Sequence, residues 1–290
     1  MNGILLIDKP AGWTSSDVVA KLRGVLHEKR IGHSGTLDPM ATGLLVLFVG
    51  RATRAVEFAE SHDKRYLAAL RLGLSTDTQD TTGKPVGGTP RPVSREELEA
   101  VLPRFRGDIQ QIPPMYSAIK VKGQKLYEIA RRGGEVERKA RPVTIHALTV
   151  VGEENGDFLL DISCSKGTYV RTLCHDIGEA LGCGGCMSAL ARTEAGDFKL
   201  SSAHTLTQVI KAAEKGEAES LLLPPDSLFA RYPKLKVSAA GEKKVRCGNS
   251  LSTRNPEGTY RLYSESGEFL ALVEIKNGEM RTLKSFFEVS

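Results

Sequence analysis

The chain has 290 residues, 40% hydrophobic and 26% charged, which is enough for about two domains and a large core; no apolar run approaches the length of a bilayer span. A formal charge of +5 is only mildly basic, and five cysteines are too sparse, and odd in number, for a disulfide framework. The N-terminal stretch MNGILLIDKP lacks the basic region and small-residue cleavage site of an export signal, so a reducing, cytoplasmic setting is expected.

In chain order, residues 4–7 form a short apolar run with strand character, followed by a turn at Lys9-Pro10-Ala11-Gly12 and a helix that Ser15 or Ser16 can cap. Val18, Val19, Leu22, Val25 and Leu26 supply its apolar face. The loop GHSGTLDPMATG, residues 32–43, then sets a single carboxylate, Asp38, directly before Pro39. Pro39 disfavours helical backbone at Asp38, while Gly32, Gly35 and Gly43 permit φ > 0 and close approach of another chain. An Asx-turn or helix N-cap is the common use of an aspartate in such company, and these twelve residues alone favour it.

Residues 44–49 (LLVLFV) read as a buried strand and residues 66–72 as a further one, followed by the polar loop TDTQDTTGKP. Short helices are expected at REELEAVLPRF and YEIARR, and a hairpin from residues 143–151 and 158–163 around Glu154-Asn155-Gly156-Asp157. In KGTYVRTLCHDIGEALG, Thr168 can cap a helix ending near Gly182. The composition changes near Pro224-Pro225, after which one helix and the runs YRLYSE, FLALVEI and MRTLKSFF predict a small, mostly β domain. Strand-rich segments alternate irregularly with helices, predicting an α+β fold with a mixed, largely antiparallel sheet.

The charge is unevenly spread. Residues 120–141 hold eight Lys/Arg against three acids, and residues 231–290 hold eleven against seven, leaving the rest net acidic. One such run is commonly a solvated face; two on an otherwise acidic chain favour a polyanionic partner.

Three chemistries compete. Cys183-Gly-Gly-Cys186 is a CxxC, but without a second pair or a βαβ setting it makes a weak zinc or thiol signal, and a Gly-rich turn after a helix is the plainer reading. Neither nucleotide-binding glycine motif occurs. Chemistry built on one carboxylate remains. An aspartate among apolar neighbours needs a nearby cation to stay ionised, and Arg171, near the start of the helix in KGTYVRTL, is the candidate, although a surface helix arginine is an equal reading.

Five ordered blocks, GILLIDKPAGWTSSDVVAKLR, IGHSGTLDPMATGLLVLFVGRATR, KRYLAALRLGLSTDTQDTTG, IPPMYSAIKVKGQKLYEIARRG and GTYVRTLCHDIGEALG, closely resemble the TruB family of bacterial tRNA pseudouridine-55 synthases. The resemblance covers almost all of residues 1–200. It implies a catalytic domain over residues 1–225 with an RNA-gripping insertion at about 108–142. The more weakly matching residues 230–290 look like the RNA-binding PUA domain that such proteins often carry. The implied reaction breaks the N1–C1′ bond of a T-arm uridine, turns the base and rejoins it through C5, with tRNA as partner and no cofactor, metal or membrane; a monomer is expected.

By the family pattern Asp38 is the catalytic residue, Arg171 its ion-pair partner, and Tyr66 packs on the target base and assists proton removal at C5. His33 matches a residue touching RNA where the base is extruded; Tyr169 and Leu190 match the uridine pocket; Lys9 matches a position near the active loop that binds phosphate or is structural. Residue identities leave open whether Asp38 attacks C1′, attacks C6 or removes the C2′ proton. Two departures stand out: Leu190-Ala191-Arg192-Thr193 replaces the usual Leu-Arg-Arg-Thr, and the CGGC turn is unusual. A non-catalytic RNA-binding or tRNA-chaperone module is the alternative.

Overall fold

The computed structural model describes residues 1–121 and 123–288. Ten strands build one sheet: β1 (Gly3–Lys9), β2 (Ile31–His33), β3 (Thr42–Val49), β4 (Lys64–Leu72), β5 (Gly107–Gln111), β6 (Arg141–Glu154), β7 (Asp157–Cys164), β8 (Gly185–Ala195), β9 (Phe198–Lys199) and β10 (His204–Thr205). Their order is β10-β1-β3-β8-β4-β7-β6-β5, with β2 added to β3 and β9 to β8. Only β1 with β10 and β3 with β8 pair in parallel, so the sheet is mixed and largely antiparallel, as the irregular alternation of elements predicts.

The continuous apolar runs follow from burial of both sheet faces. Ile4, Leu6, Leu44, Val46 and Phe48 point to one core; Leu5, Ile7, Leu45, Leu47 and Val49, one residue out of step, point to another. Helix α1 (Ser15–Val25) covers the second with Val18, Val19 and Leu22. Its cap is Thr14, which forms a reciprocal capping box with Asp17, and not Ser15 or Ser16. Ser15 is buried, and its hydroxyl accepts from Leu37 N–H instead.

Helix α2 (Arg95–Val101) lies in the segment between β4 and β5. The hairpin of β6 and β7 turns through Asn155 and Gly156, both at positive φ (52° and 82°), the backbone that a two-residue turn matching strand twist requires. Helix α3 (Val170–Ala180) has Tyr169 as its N-cap residue without a side-chain cap; Thr168 instead donates to the Ser165 carbonyl at 2.9 Å. The Tyr169 amide is received by Gln111 Oε1 at 2.8 Å, while Gln111 Nε2 donates to the Tyr169 carbonyl at 3.0 Å. That partner comes from β5, 58 residues away, so nothing local in the sequence points to it.

A second sheet comprises β11 (Lys234–Lys236), β12 (Leu251–Ser252), β13 (Gly258–Tyr263), β14 (Phe269–Lys276) and β15 (Glu279–Ser285), ordered β11-β13-β14-β15-β12, with a helix over Ala239–Arg246. Aromatic packing joins it to the large sheet's side. Phe229 meets Phe58 edge-on at 5.3 Å and Phe286 at 5.8 Å, and Lys284 pairs with Glu57 at 2.7 Å. Among the described residues no helix is long and apolar enough to cross a membrane.

The seam of the large sheet positions the site. β3 and β8 run parallel through only two register pairs, Ala191 with Thr42 and Arg192 with Gly43. Gly43 has φ 91°, and a Cβ there would lie 2.4 Å from the Arg192 carbonyl oxygen, so the two backbones meet only because it is glycine. Gly35 also takes positive φ, at 85°, whereas Gly32 sits in extended backbone of β2.

Candidate active site

The loop between β2 and β3 is held from three directions. Asp38 opens a tight turn closed by Ala41 N–H donating to the Asp38 carbonyl at 3.0 Å, with Pro39 at the position where its fixed φ suits such a turn. Ser15 Oγ accepts from Leu37 N–H at 2.9 Å and donates to the Leu37 carbonyl at 3.3 Å. Gly12 N–H donates to the Pro39 carbonyl at 2.8 Å. Lys9 is fully buried, and its ammonium donates to the carbonyls of Trp13 (2.7 Å), Pro10 (2.9 Å) and Pro39 (3.3 Å). Of its two expected uses this is the structural one: its three N–H groups are spent on two carbonyls of the turn after β1 and one of the Asp38 loop.

Arg171 faces Asp38. Its Nε lies 2.8 Å from Oδ2 and its Nη2 donates to Oδ1 at 3.4 Å, a forked contact. The guanidinium is itself clamped: Nη1 donates to the Thr78 carbonyl at 3.0 Å, Nη2 to the Tyr116 carbonyl at 2.9 Å, and Asp80 Oδ2 stands 3.7 Å from Nη1. Arg171 is 5% exposed, so it is no surface helix arginine.

Burial pushes the Asp38 carboxyl above the usual carboxylate range; Arg171 pulls it back, Asp80 pushes it further up, and Lys9 acts in the same direction as Arg171. The desolvation and the compensating cation expected from the residues are both present, and burial is the larger effect. With 35% of its side chain accessible, Asp38 can be reached from outside.

Tyr66, Leu37, Met40 and Leu190 share one hydrophobic cluster. Burial raises the Tyr66 and Tyr169 phenols, and both lie close enough to Asp38 to feel its charge. The structure thus brings Asp38, Arg171, Tyr66, Tyr169 and Lys9 into one neighbourhood, with Leu190 in the apolar wall. His33 is in β2 opposite Leu47, its Nδ1 is buried without a partner, and the charges acting on it are those of Arg192 and Glu60.

Two residues escaped the sequence reading. Asp80, 5% exposed, accepts from Thr82 N–H (2.9 Å), Thr82 Oγ1 (2.5 Å) and Thr78 Oγ1 (2.8 Å), which aims its other oxygen at Arg171. Arg192, 1% exposed, donates from Nε to the Leu44 carbonyl at 2.7 Å and from Nη2 to the Gly35 carbonyl at 3.2 Å, and pairs across the sheet with Tyr66. In the Leu-Ala-Arg-Thr run the sequence singles out only Ala191, which stands where the family usually has arginine; Arg192 itself turns inward behind Tyr66.

Cys183 and Cys186 are buried, and burial pushes the Cys186 thiol up to about 11. The CGGC stretch is a glycine turn leading from α3 into β8. Among the described residues no group of three or more His, Cys, Asp or Glu side chains is arranged to hold a metal ion.

A sequence signature described as TruB family pseudouridylate synthase (N terminal domain) matches residues 23–170, half of the chain. The chain belongs to the TruB family. A second signature, the tRNA pseudouridylate synthase B C-terminal domain, matches residues 171–230 and ends before the second sheet begins. The chain is 45% identical to the tRNA pseudouridine synthase B of Azoarcus sp. (strain BH72) over 97% of its own length and 93% of that protein. It is 40% identical to the tRNA pseudouridine synthase B of Escherichia coli O1:K1 / APEC over 95% and 91%. Among solved structures it superposes on a chain from "Crystal Structure of a Cbf5-Nop10-Gar1 Complex" with a TM-score of 0.75 at 26% identity, covering 99% of this chain and 85% of that one. As a TruB-family member it is a pseudouridine synthase, an enzyme with the fold expected from its sequence.

Proposed function

We propose that this TruB-family enzyme converts the uridine at position 55, in the T arm of tRNA, to pseudouridine, with Asp38 as its one reacting carboxylate. The observation that carries the reading is the contrast between the two acids at Arg171. Asp38 is one-third accessible beside Tyr66 and Tyr169, whereas Asp80 is sealed in and spends its oxygens on Thr78, Thr82 and Arg171. The choice of tRNA rests on the names of the curated relatives.

A nucleotide must leave its stack to bring its sugar and base to a partly buried carboxylate, and an apolar wall with aromatic rings, here Leu190, Tyr66 and Tyr169, is what receives an everted base. Arg171 keeps Asp38 oriented and anionic enough to act at the sugar or the base ring. His33, on the strand leading into the loop, touches the RNA where the base leaves it. Breaking N1–C1′ and forming C5–C1′ neither adds nor removes atoms, so the residues named suffice for the isomerisation.

The remaining contacts are assigned to an insertion at about 108–142 and a PUA-like domain over residues 230–290, beyond a catalytic domain of residues 1–225. The insertion carries Tyr127 between Lys125 and Arg131, each 5.4 Å from the ring centre, the aromatic and cationic mixture that suits partly unstacked RNA. Its Tyr116 carbonyl also holds Arg171, tying RNA grip to the catalytic pair. The test is Asp38→Asn on a T-arm stem-loop: pseudouridine formation is abolished while RNA affinity stays within about threefold. Turnover in this variant refutes the assignment, and wild-type protein that binds the stem-loop without forming pseudouridine supports an RNA-chaperone module instead.

A further inference from the structure

Arg171 is held by two groups from one short loop, the Thr78 carbonyl and the Asp80 carboxylate, and the residue between them has an unusual backbone. Gln79 sits at φ 63°, the left-handed region that a non-glycine side chain of this kind rarely occupies. Its side chain is anchored: Thr172 Oγ1, on α3 and 2% exposed, donates to Gln79 Oε1 at 2.7 Å. Its main chain is anchored as well, because Gln79 N–H donates to the Thr76 carbonyl at 3.1 Å and Met187 N–H, on β8, donates to the Gln79 carbonyl at 3.0 Å. Thr81 N–H completes the strap by donating to the Met187 carbonyl at 3.0 Å.

The consequence is geometric. Residues 78 and 80 flank a left-handed residue, which turns the Thr78 carbonyl and the Asp80 carboxylate toward the same Arg171 nitrogen, Nη1, at 3.0 and 3.7 Å. Thr172 follows Arg171 directly in α3, so the Gln79 bond fixes the loop to the same helical turn that carries the guanidinium. From this the geometry points to Gln79 as a positioning residue, whose left-handed backbone and bond to Thr172 hold the Arg171 guanidinium on Asp38. It touches neither substrate nor reacting atoms and acts only through Arg171.

The inference rests on Asp38 being the reacting carboxylate. Loosening Arg171 leaves burial and Asp80 to act on Asp38 with less opposition, so the acidic limb of kcat against pH moves upward. The experiment measures kcat, KM for tRNA, the kcat–pH profile and Tm for Gln79→Ala, Gln79→Gly, Thr172→Val and Thr172→Ser. Gln79→Ala, which keeps the strain and loses the bond, is expected to lower kcat about tenfold, change KM less than about twofold and move the acidic limb up by about half a pH unit. Gln79→Gly relieves the backbone but loses the bond, and it shows the same limb shift. Thr172→Val copies that shift, and Thr172→Ser, which keeps the hydroxyl, restores the wild-type profile.

A wild-type profile in Gln79→Ala, or a lower Tm with the acidic limb unmoved, overturns the inference. Asp38→Asn is run alongside. If it retains turnover, the functional reading itself fails; if it is inactive while Gln79→Ala behaves as wild type, only the role of Gln79 is lost.

Discussion

Replacing Arg171 by methionine removes the cation from Asp38 and keeps much of the side-chain volume. Removing one member of a buried ion pair costs about 3–5 kcal/mol. Here 35% of the Asp38 side chain is accessible, and solvent screening reduces the electrostatic part to about 1–2 kcal/mol, or about one unit in the Asp38 pKa. The sign follows from the direction already present. Asp38 lies above its ordinary range despite Arg171, so losing Arg171 raises it further and the reactive anion disappears at a higher pH.

The variant also frees the carboxylate to swing, because the fork from Nε and Nη2 is gone. Misorientation of this kind lowers kcat at neutral pH by about a hundredfold. The assay is single-turnover release of tritium from C5-labelled uridine in a tRNA transcript, followed from pH 5 to 9. The expected outcome is an acidic limb displaced upward by about one unit together with the drop in amplitude. An unmoved limb with kcat within threefold of wild type refutes the reasoning, because Arg171 would then matter to neither the charge nor the aim of Asp38.

Gly43→Ala forces a Cβ to within 2.4 Å of the Arg192 carbonyl at φ 91°; a loss of at least about 3 kcal/mol in urea unfolding is expected, and a stable variant would mean the β3–β8 seam can spread. Lys9→Met removes the ammonium from the carbonyls of Pro10, Trp13 and Pro39 and should cost about 2–4 kcal/mol, with activity falling because Pro39 then keeps only its bond from Gly12; unchanged stability and activity would deny Lys9 its structural role. Arg192→Met removes the buried cation facing Tyr66, so the Tyr66 phenol should titrate at higher pH than in the wild type, read by ultraviolet difference spectroscopy against a Tyr66→Phe control. Native protein treated with iodoacetamide should be labelled at exposed Cys247, with Cys164, Cys174, Cys183 and Cys186 reacting only after unfolding; fast labelling of Cys186 would revive the thiol reading.

Much of this molecule is written locally. The runs at residues 4–7 and 44–49 become β1 and β3 because four and six consecutive apolar residues are too short for a typical helix and fit a strand covered on both faces. Asn155-Gly156 sets its hairpin because those residues tolerate φ > 0. Asp38-Pro39 makes its turn from the stereochemistry of proline, and the five ordered blocks carry the TruB family in residue identities alone. Local pattern misassigned the helix starts. Thr14 caps α1 although Ser15 and Ser16 look equally suited, since Ser15 is claimed by Leu37, and Thr168 yields to Gln111 at α3.

What only the tertiary structure decided is which charges meet and which are sealed away. Asp38 and Arg171 are 133 residues apart, Arg171 and Thr78 are 93 apart, and no periodicity within either segment encodes their distance. The resemblance leaves Lys9 as either a phosphate ligand or a structural residue, and nothing in the sequence assigns Arg192 a task, yet burial turns both to main-chain carbonyls. A side chain's chemistry is written in its identity, but its pKa, its accessibility and its partners depend on how many atoms from distant segments exclude water around it, and that is settled only when the sheet closes.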